Sequence, residues 1–169
     1  ANQLGSAVDT TSLTSTFSRY CIAFENVCPV ATATLTCSLN LQVATSGTSW
    51  IAASYVSNVQ LNVGLTTVLA GTTSLFFLSG ATATTCVGTS TLYGVNGVVE
   101  LVNPANAIFR KSINGKLNYL TPGAVSTTTQ APALPSGFWD GNSNAIVALN
   151  NAFQTGNIAT GTIRIYGVV

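Results

Sequence analysis

The sequence predicts an all-β fold: a single antiparallel β-sandwich or jelly-roll domain with an N-terminal extension. Residues of high strand propensity, chiefly Thr, Val, Ile, Tyr and Phe, alternate with Ser, Asn and Gly along most of the 169 residues. Glycine and proline punctuate these short segments, and helical spacing is confined to one stretch. A chain of this length forms one domain with a substantial core. We assign residues 1–19 to an N-terminal arm and residues 20–169 to the sandwich.

The first strand signals after the arm lie in residues 31–44 and 50–63. In both segments apolar side chains alternate with Thr, Ser, Asn or Gln, which is the period-two pattern of a half-buried strand. The turn residues 46–48 separate them. We therefore expect the two segments to form an antiparallel pair.

Two Asn-Gly dipeptides give the strongest local turn signals. Asn96–Gly97 and Asn114–Gly115 are each flanked by strand-forming residues. Asn-Gly tolerates positive φ at both central positions of a type I′ turn, whose twist matches paired strands. The sequence therefore predicts a tight hairpin at each dipeptide.

The remaining third of the chain is more varied. Residues 121–137 are rich in Pro and Thr and predict a surface loop. Residues 142–153 carry apolar side chains at helical spacing after candidate Asn and Ser caps, which favours a short helix, with a strand over 145–149 as the alternative. Residues 162–166 alternate and predict a closing strand.

The charge content limits the possible partners. Charged residues make up 5 % of the chain, against about 25 % in a typical soluble domain, and the net charge is +1. A neutral, hydroxyl-rich surface offers little repulsion between copies, so we expect self-association. The longest basic run is Arg110–Lys111, and no stretch of about 20 apolar residues exists. We therefore expect neither nucleic-acid binding nor membrane insertion.

The cysteines and the amino end indicate export. The sequence begins at Ala1 and contains no Met, which suggests an N-terminal signal already removed. An even number of cysteines favours two disulfides in an oxidising, extracellular or cell-surface setting. Three connectivities are possible. We favour Cys21–Cys28 with Cys37–Cys86; Cys28–Cys37 with Cys21–Cys86 is the alternative.

Residue types for catalysis are scarce. The chain has no His, and its cysteine spacing does not match structural zinc motifs, so we expect no metal, no cofactor and no catalytic residues. Glu100 and Asp140 are the likeliest pair for glycosidase chemistry, but residue type alone supports them, and we predict a protein that is not an enzyme. Trp139, beside Asp140 and Asn142, offers a possible glycan contact.

The N-terminal arm differs from the rest of the chain. It is rich in Ser and Thr, and its apolar residues Val8, Leu13 and Phe17 are widely spaced. With the Thr-rich strands and the closing strand at 162–166, this arm makes the chain resemble donor-strand-exchanging pilus and fibre subunits, including archaeal bundling pilins and TasA-like proteins.

That resemblance implies an extracellular filament that assembles with copies of itself. The arm of one subunit would complete the sheet of the next, with Val8, Leu13 and Phe17 as its anchors. The alternatives are a single jelly-roll viral capsid protein and a secreted carbohydrate-binding module. All three share one fold class, so fold alone does not separate them.

Overall fold

The computed structural model describes residues 6–9, 13–30, 37–63, 66–89, 94–122, 130–141, 144–155 and 157–168. These residues form eleven strands and no helix. In chain order the strands are β1 (Ser6–Asp9), β2 (Arg19–Pro29), β3 (Leu39–Ala44), β4 (Tyr55–Val63), β5 (Thr66–Thr72), β6 (Phe76–Phe77), β7 (Val95–Val102), β8 (Lys111–Leu120), β9 (Gln130–Trp139), β10 (Ala148–Phe153) and β11 (Ile158–Val168).

The strands build two antiparallel sheets. The larger sheet has seven strands in the order β11-β2-β7-β8-β9-β4-β5, and the smaller has four in the order β1-β10-β3-β6. The inward-facing apolar side chains of both sheets form one buried cluster. The predicted all-β sandwich is therefore confirmed.

Tyr55 fastens the two sheets together through the core. Its ring meets that of Phe76 edge to face, with the centroids 4.8 Å apart. The Tyr55 hydroxyl donates to the Ile51 carbonyl (3.1 Å) and accepts from the Val43 amide (3.0 Å). Burial raises the pKa of Tyr55 to about 12, so this hydroxyl keeps its proton at physiological pH.

A side-chain clasp stabilises the irregular end of β2. Asn26 has a φ of 48°, and the β2–β7 register shifts between Phe24 and Val27. The Asn26 amide donates to Asn96 Oδ1 (2.9 Å), while Gly94 N–H donates to Asn26 Oδ1 (2.8 Å). These bonds satisfy backbone groups that the bulge removes from the ladder.

The two predicted Asn-Gly hairpins are wrong. Asn96–Gly97 lies inside β7 and Asn114–Gly115 inside β8, and the two strands pair with each other. Gly97 has a φ of 134°, and a Cβ there would collide with the Lys116 carbonyl oxygen. A Cβ on Gly115 would lie 2.7 Å from the Val98 carbonyl oxygen. Both glycines allow close approach of neighbouring backbones rather than a turn.

The predicted pairing of residues 31–44 with 50–63 is also wrong. β3 pairs with β10 and β6 in the smaller sheet, whereas β4 pairs with β9 and β5 in the larger. The predicted faces of β4 are correct, since Val59 and Leu61 are buried while Asn58 and Gln60 are exposed. Residues 31–36 lie outside the described part of the chain.

Two assignments near the carboxyl end need correction. Residues 130–137 belong to β9, which holds a central place in the sheet despite Pro132 and Pro135. Residues 148–153 form β10 rather than a helix, and five of its six residues are buried, so both faces of the strand are covered. The rest of these predictions, at residues 123–129 and 142–143, falls outside the described residues. The closing strand at 162–166 is confirmed within β11.

Candidate functional site

The N-terminal arm contributes an edge strand to its own subunit. β1 pairs antiparallel with β10 through four residue pairs, from Ser6 opposite Ala152 to Asp9 opposite Leu149. On β10, the Oδ1 atoms of Asn150 and Asn151 are buried and have no hydrogen-bond partner among the described residues. A buried amide oxygen without a partner costs about 1–3 kcal/mol. β1 is therefore held by few residue pairs, on a strand whose two buried amide oxygens lack described hydrogen-bond partners.

The segment between the arm and β2 is anchored to the body. The Tyr20 hydroxyl donates to the Thr14 carbonyl (2.7 Å) and accepts from the Thr14 amide (2.6 Å). The Phe17 ring meets the Tyr20 ring edge to face at 5.8 Å. It also covers Gly167 on β11, where any Cβ would collide with it.

The three predicted anchors therefore divide into two groups. Leu13 and Phe17 are partly buried against the core of their own chain. Val8 lies on β1 opposite Asn150, and its side chain is outside the described set. Removal of Leu13 or Phe17 from these positions would expose apolar surface that now packs on the core.

The larger sheet ends in a long strand. β11 pairs with β2 over most of its eleven residues, and no described strand lies beyond it. Its one charged residue, Arg164, forms an ion pair with Glu25 on β2. That pair lowers the pKa of the Glu25 carboxyl. An edge with so little charge is open to strand addition.

The cysteines do not follow the favoured connectivity in full. All four lie among the described residues, and no disulfide joins them. Cys21 and Cys28 occupy the same extended strand, seven residues apart, which puts their Cα atoms roughly 20 Å apart. A disulfide needs less than about 7 Å, so the Cys21–Cys28 pairing is wrong.

Cys37 and Cys86, by contrast, are neighbours in the core. The Val87 amide donates to the Cys37 carbonyl (3.3 Å), and both cysteines are buried. Burial raises the pKa of the Cys86 thiol; backbone hydrogen bonds from Cys37 and Cys86 itself oppose this, and the nearby Cys37 thiol adds to it. The two thiols are thus placed side by side, and burial keeps the Cys86 thiol in the protonated form.

A groove opens on the outer face of the larger sheet, and we call it the outer groove. The β8–β9 pairing skips the interval where Gly115 and Lys116 face Leu134 and Pro135. Pro135 has no N–H to complete a ladder. The groove has a volume of about 620 Å³ and is lined by Asn58, Gln60, Val98, Glu100, Asn114, Gly115, Lys116, Leu134, Pro135 and Ser136.

A second surface feature lies at the end of the same sheet, in the β7–β8 connection. Ile108 and Phe109, which we call the loop tip, are 86 % and 61 % exposed. Both backbone amides donate to Asn106 Oδ1, at 2.7 and 2.8 Å. This turn fixes two large apolar side chains in solvent. The strand-forming residues that flank Asn114–Gly115 in the sequence give no sign of either surface.

The residues considered for chemistry lie apart. Trp139 is 1 % exposed and donates from Nε1 to the Ala53 carbonyl (3.2 Å), so it offers no open face to a glycan. Asp140 pairs with Arg110 at 2.9 Å. Glu100 on β7 lies in one row with Asn114 on β8 and Ser136 on β9. It is therefore two strands away from Ser136, and Asp140 follows Ser136 by four residues. The carboxylates are thus beyond the roughly 5–10 Å of glycosidase pairs.

Lys111 is the buried cation of the sandwich. Its side chain is fully buried at the start of β8, and its Nζ lies 5.7 Å from the centre of the Trp139 ring. Burial lowers its pKa. A cation over an indole face is a favourable contact that offsets part of the desolvation.

No group of three or more His, Cys, Asp or Glu residues able to hold a metal ion occurs in the described part of the chain. Nor do the described residues include a helix long and apolar enough to cross a membrane. The chain matches no protein-family model, no curated protein and no solved structure. What it does is therefore argued from its surfaces alone.

Proposed function

We propose that this protein is a non-enzymatic structural subunit of an extracellular filament, which assembles with copies of itself by donating its N-terminal strand. The observation that carries the proposal is the placement of β1. It is a four-residue edge strand on β10, joined to a segment that is anchored to the body from Leu13 onward. β1 from one copy fits the β10 edge of another with the same register, which is the geometry of strand exchange.

The energetics of the home position support exchange. Four residue pairs give β1 little hold on its own chain. Moving β1 to an identical neighbour keeps every backbone hydrogen bond. The cost is loss of freedom between two copies, which further subunit contacts offset.

The surface supports association as well. The chain has five basic and four acidic residues, and two ion pairs, Arg164–Glu25 and Arg110–Asp140, use four of them. Little net charge is left to keep copies apart. The sparsely charged edge of β11 offers a further place for strand addition.

Export to an oxidising setting forms part of the proposal. There, Cys37 and Cys86 would join as a disulfide, since they already lie side by side. Such a bond closes a loop of about 50 residues, for which chain entropy predicts a stabilisation of about 4 kcal/mol.

A cross-linking experiment tests strand exchange directly. Ser6 and Ala152 face each other on β1 and β10, so cysteines at both positions lie within disulfide reach. The double variant is built with Cys21→Ser, which removes the half-exposed native thiol. The protein is allowed to assemble under reducing conditions, oxidised, and run on a non-reducing gel.

Exchange predicts a ladder of covalently linked chains, because β1 then lies on the β10 of a neighbour. The Ser6→Cys single variant controls for random oxidation and stops at dimers. If the double variant forms a cross-link within each chain while filaments are present, the arm stays at home and strand donation is wrong. Electron microscopy of the same samples distinguishes fibres from the closed shells of a capsid.

A further inference from the structure

The loop tip is an unusual feature for a surface. Ile108 and Phe109 are the two most exposed large apolar side chains among the described residues. Exposed aromatic and aliphatic side chains that stand together mark protein interaction sites. No part of the strand-donation proposal uses them.

The loop tip is held rigidly before it meets any partner. The Asn103 amide donates to the Ser18 carbonyl (2.8 Å), and the Ile146 amide donates to the Pro104 carbonyl (2.8 Å). With the two bonds to Asn106 Oδ1, these contacts fix both the base and the turn of the loop. A rigid tip loses little entropy on binding, so its apolar area contributes more to affinity.

The outer groove complements the loop tip in chemistry. Val98 and Leu134, 39 % and 42 % exposed, are its apolar walls, and Pro135 lies between strands at its base. Its volume of about 620 Å³ has room for an isoleucine and a phenylalanine side chain together.

Each of the two surfaces carries one acidic and one basic side chain. Arg110 and Asp140 form an ion pair directly beside the loop tip, and the Arg110 guanidinium lies 4.8 Å from the Phe138 ring centre. The outer groove carries one acid, Glu100, and one base, Lys116. In a chain with nine charged residues, four are therefore at these two surfaces, where opposite signs align a docking partner.

We infer that the loop tip of one copy docks in the outer groove of a second copy. The contact joins two different surfaces of the same chain, so it is heterologous and repeats without closing unless the rotation happens to form a ring. This inference deepens the proposed filament by naming a second subunit contact beside strand exchange. It rests on that function for its purpose but not for its test.

The experiment uses the chain with β1 locked at home: the Ser6→Cys/Ala152→Cys protein in the Cys21→Ser background, oxidised while dilute and monomeric so that the cross-link forms within each chain. Strand exchange is then blocked, and only docking of the folded bodies is measured by sedimentation velocity. The tip variant carries Phe109→Asp and the groove variant carries Leu134→Lys. Val30→Lys, at an exposed valine just after β2, is the matched control.

We expect the locked parent and the control to associate with rising concentration. Each of the two variants alone should associate on the order of tenfold more weakly or worse. An equimolar mixture should form a one-to-one dimer and stop there, because each pair has a single intact tip and a single intact groove.

Failure of the mixture to dimerise, with the parent associating, overturns the inference. Equal association of all four proteins also overturns it, because the contact between copies would then lie elsewhere. A locked parent that stays monomeric overturns it as well. Thermal melting within about 2 °C of the parent shows that the variants remain folded. These outcomes are independent of the cross-linking result, so either proposal fails without the other.

Discussion

Replacing Tyr119 by Phe should destabilise the sandwich strongly although it removes a single oxygen atom. The Tyr119 hydroxyl donates to the Thr85 carbonyl (2.7 Å) and accepts from the Gly80 amide (2.8 Å). All three groups are buried. Tyr119 lies on β8 in the larger sheet, so these bonds tie the segment that carries Cys86 to that sheet.

The magnitude follows from the two groups left behind. Phenylalanine fills the same space but leaves a buried N–H and a buried C=O without their partner, at about 1–3 kcal/mol each. With partial relaxation we expect a loss of about 2–4 kcal/mol in the free energy of unfolding. For a domain of this size that corresponds to a fall in Tm of about 5–15 °C.

Urea unfolding and thermal melting of the reduced protein measure the effect. Tyr166→Phe is the matched control, since Tyr166 is half-exposed on β11. Because burial raises the pKa of Tyr119, this tyrosine should also resist ionisation in an alkaline titration until the fold is lost. A Tyr119→Phe loss below about 0.5 kcal/mol, equal to the control, would refute the assignment of these hydrogen bonds.

Three further predictions concern other parts of the sandwich. Asn96→Ala should lower the free energy of unfolding, measured in urea, by about 1–2 kcal/mol, because it removes the two side-chain hydrogen bonds of Asn96 at the end of β2. No change would mean that the bulge does not depend on these bonds. Burial lowers the pKa of Lys111 in the folded chain, so the unfolded chain binds this proton more tightly, and stability should rise with pH up to the ordinary lysine pKa of about 10.4. Lys111→Met should flatten that rise in Tm, and an unchanged slope would contradict the burial of the ammonium. Oxidation should raise Tm in the wild type and in Cys21→Ser but not in Cys37→Ser or Cys86→Ser; a gain retained in the last two would point to another disulfide.

The fold class could be predicted from the sequence because it depends on local pattern. Alternation of apolar and polar residues in 58–61 places Asn58 and Gln60 outside and Val59 and Leu61 inside, whatever strand lies beside them. Pairing does not follow from such a pattern. β3 and β4 are consecutive and both alternate, yet they lie in different sheets.

Asn-Gly shows why local turn signals failed. The dipeptide supplies a residue free to adopt positive φ, and Gly97 does adopt 134°. Whether that freedom serves a turn or close strand packing depends on what lies opposite. Here it is Leu117 and the Lys116 carbonyl, some twenty residues along the chain.

The outer groove and the loop tip could not be predicted from the sequence for the same reason. The outer groove exists because Gly115 and Pro135, distant in sequence, meet where the β8–β9 ladder is interrupted. The loop tip has a local signal, Asn106 followed by Ile108 and Phe109. Because Ile and Phe favour strands, the pair predicts a strand rather than the turn that Asn106 forms.

In the proposed strand exchange, the packing of Phe17 on Gly167 would help to set the length of chain that is free to cross to a neighbour. While that contact holds, the chain crosses from Leu13 to Asp9 in four steps, which span at most about 13 Å. A neighbour would have to present its β10 within that distance, so subunits would be closely spaced. A side chain at position 167 would displace Phe17; with the Thr14–Tyr20 hydrogen bonds broken as well, the free chain would extend from Arg19 to Asp9, a reach of about 33 Å. In the proposed fibre, the glycine at position 167 would thus limit the distance between neighbouring subunits.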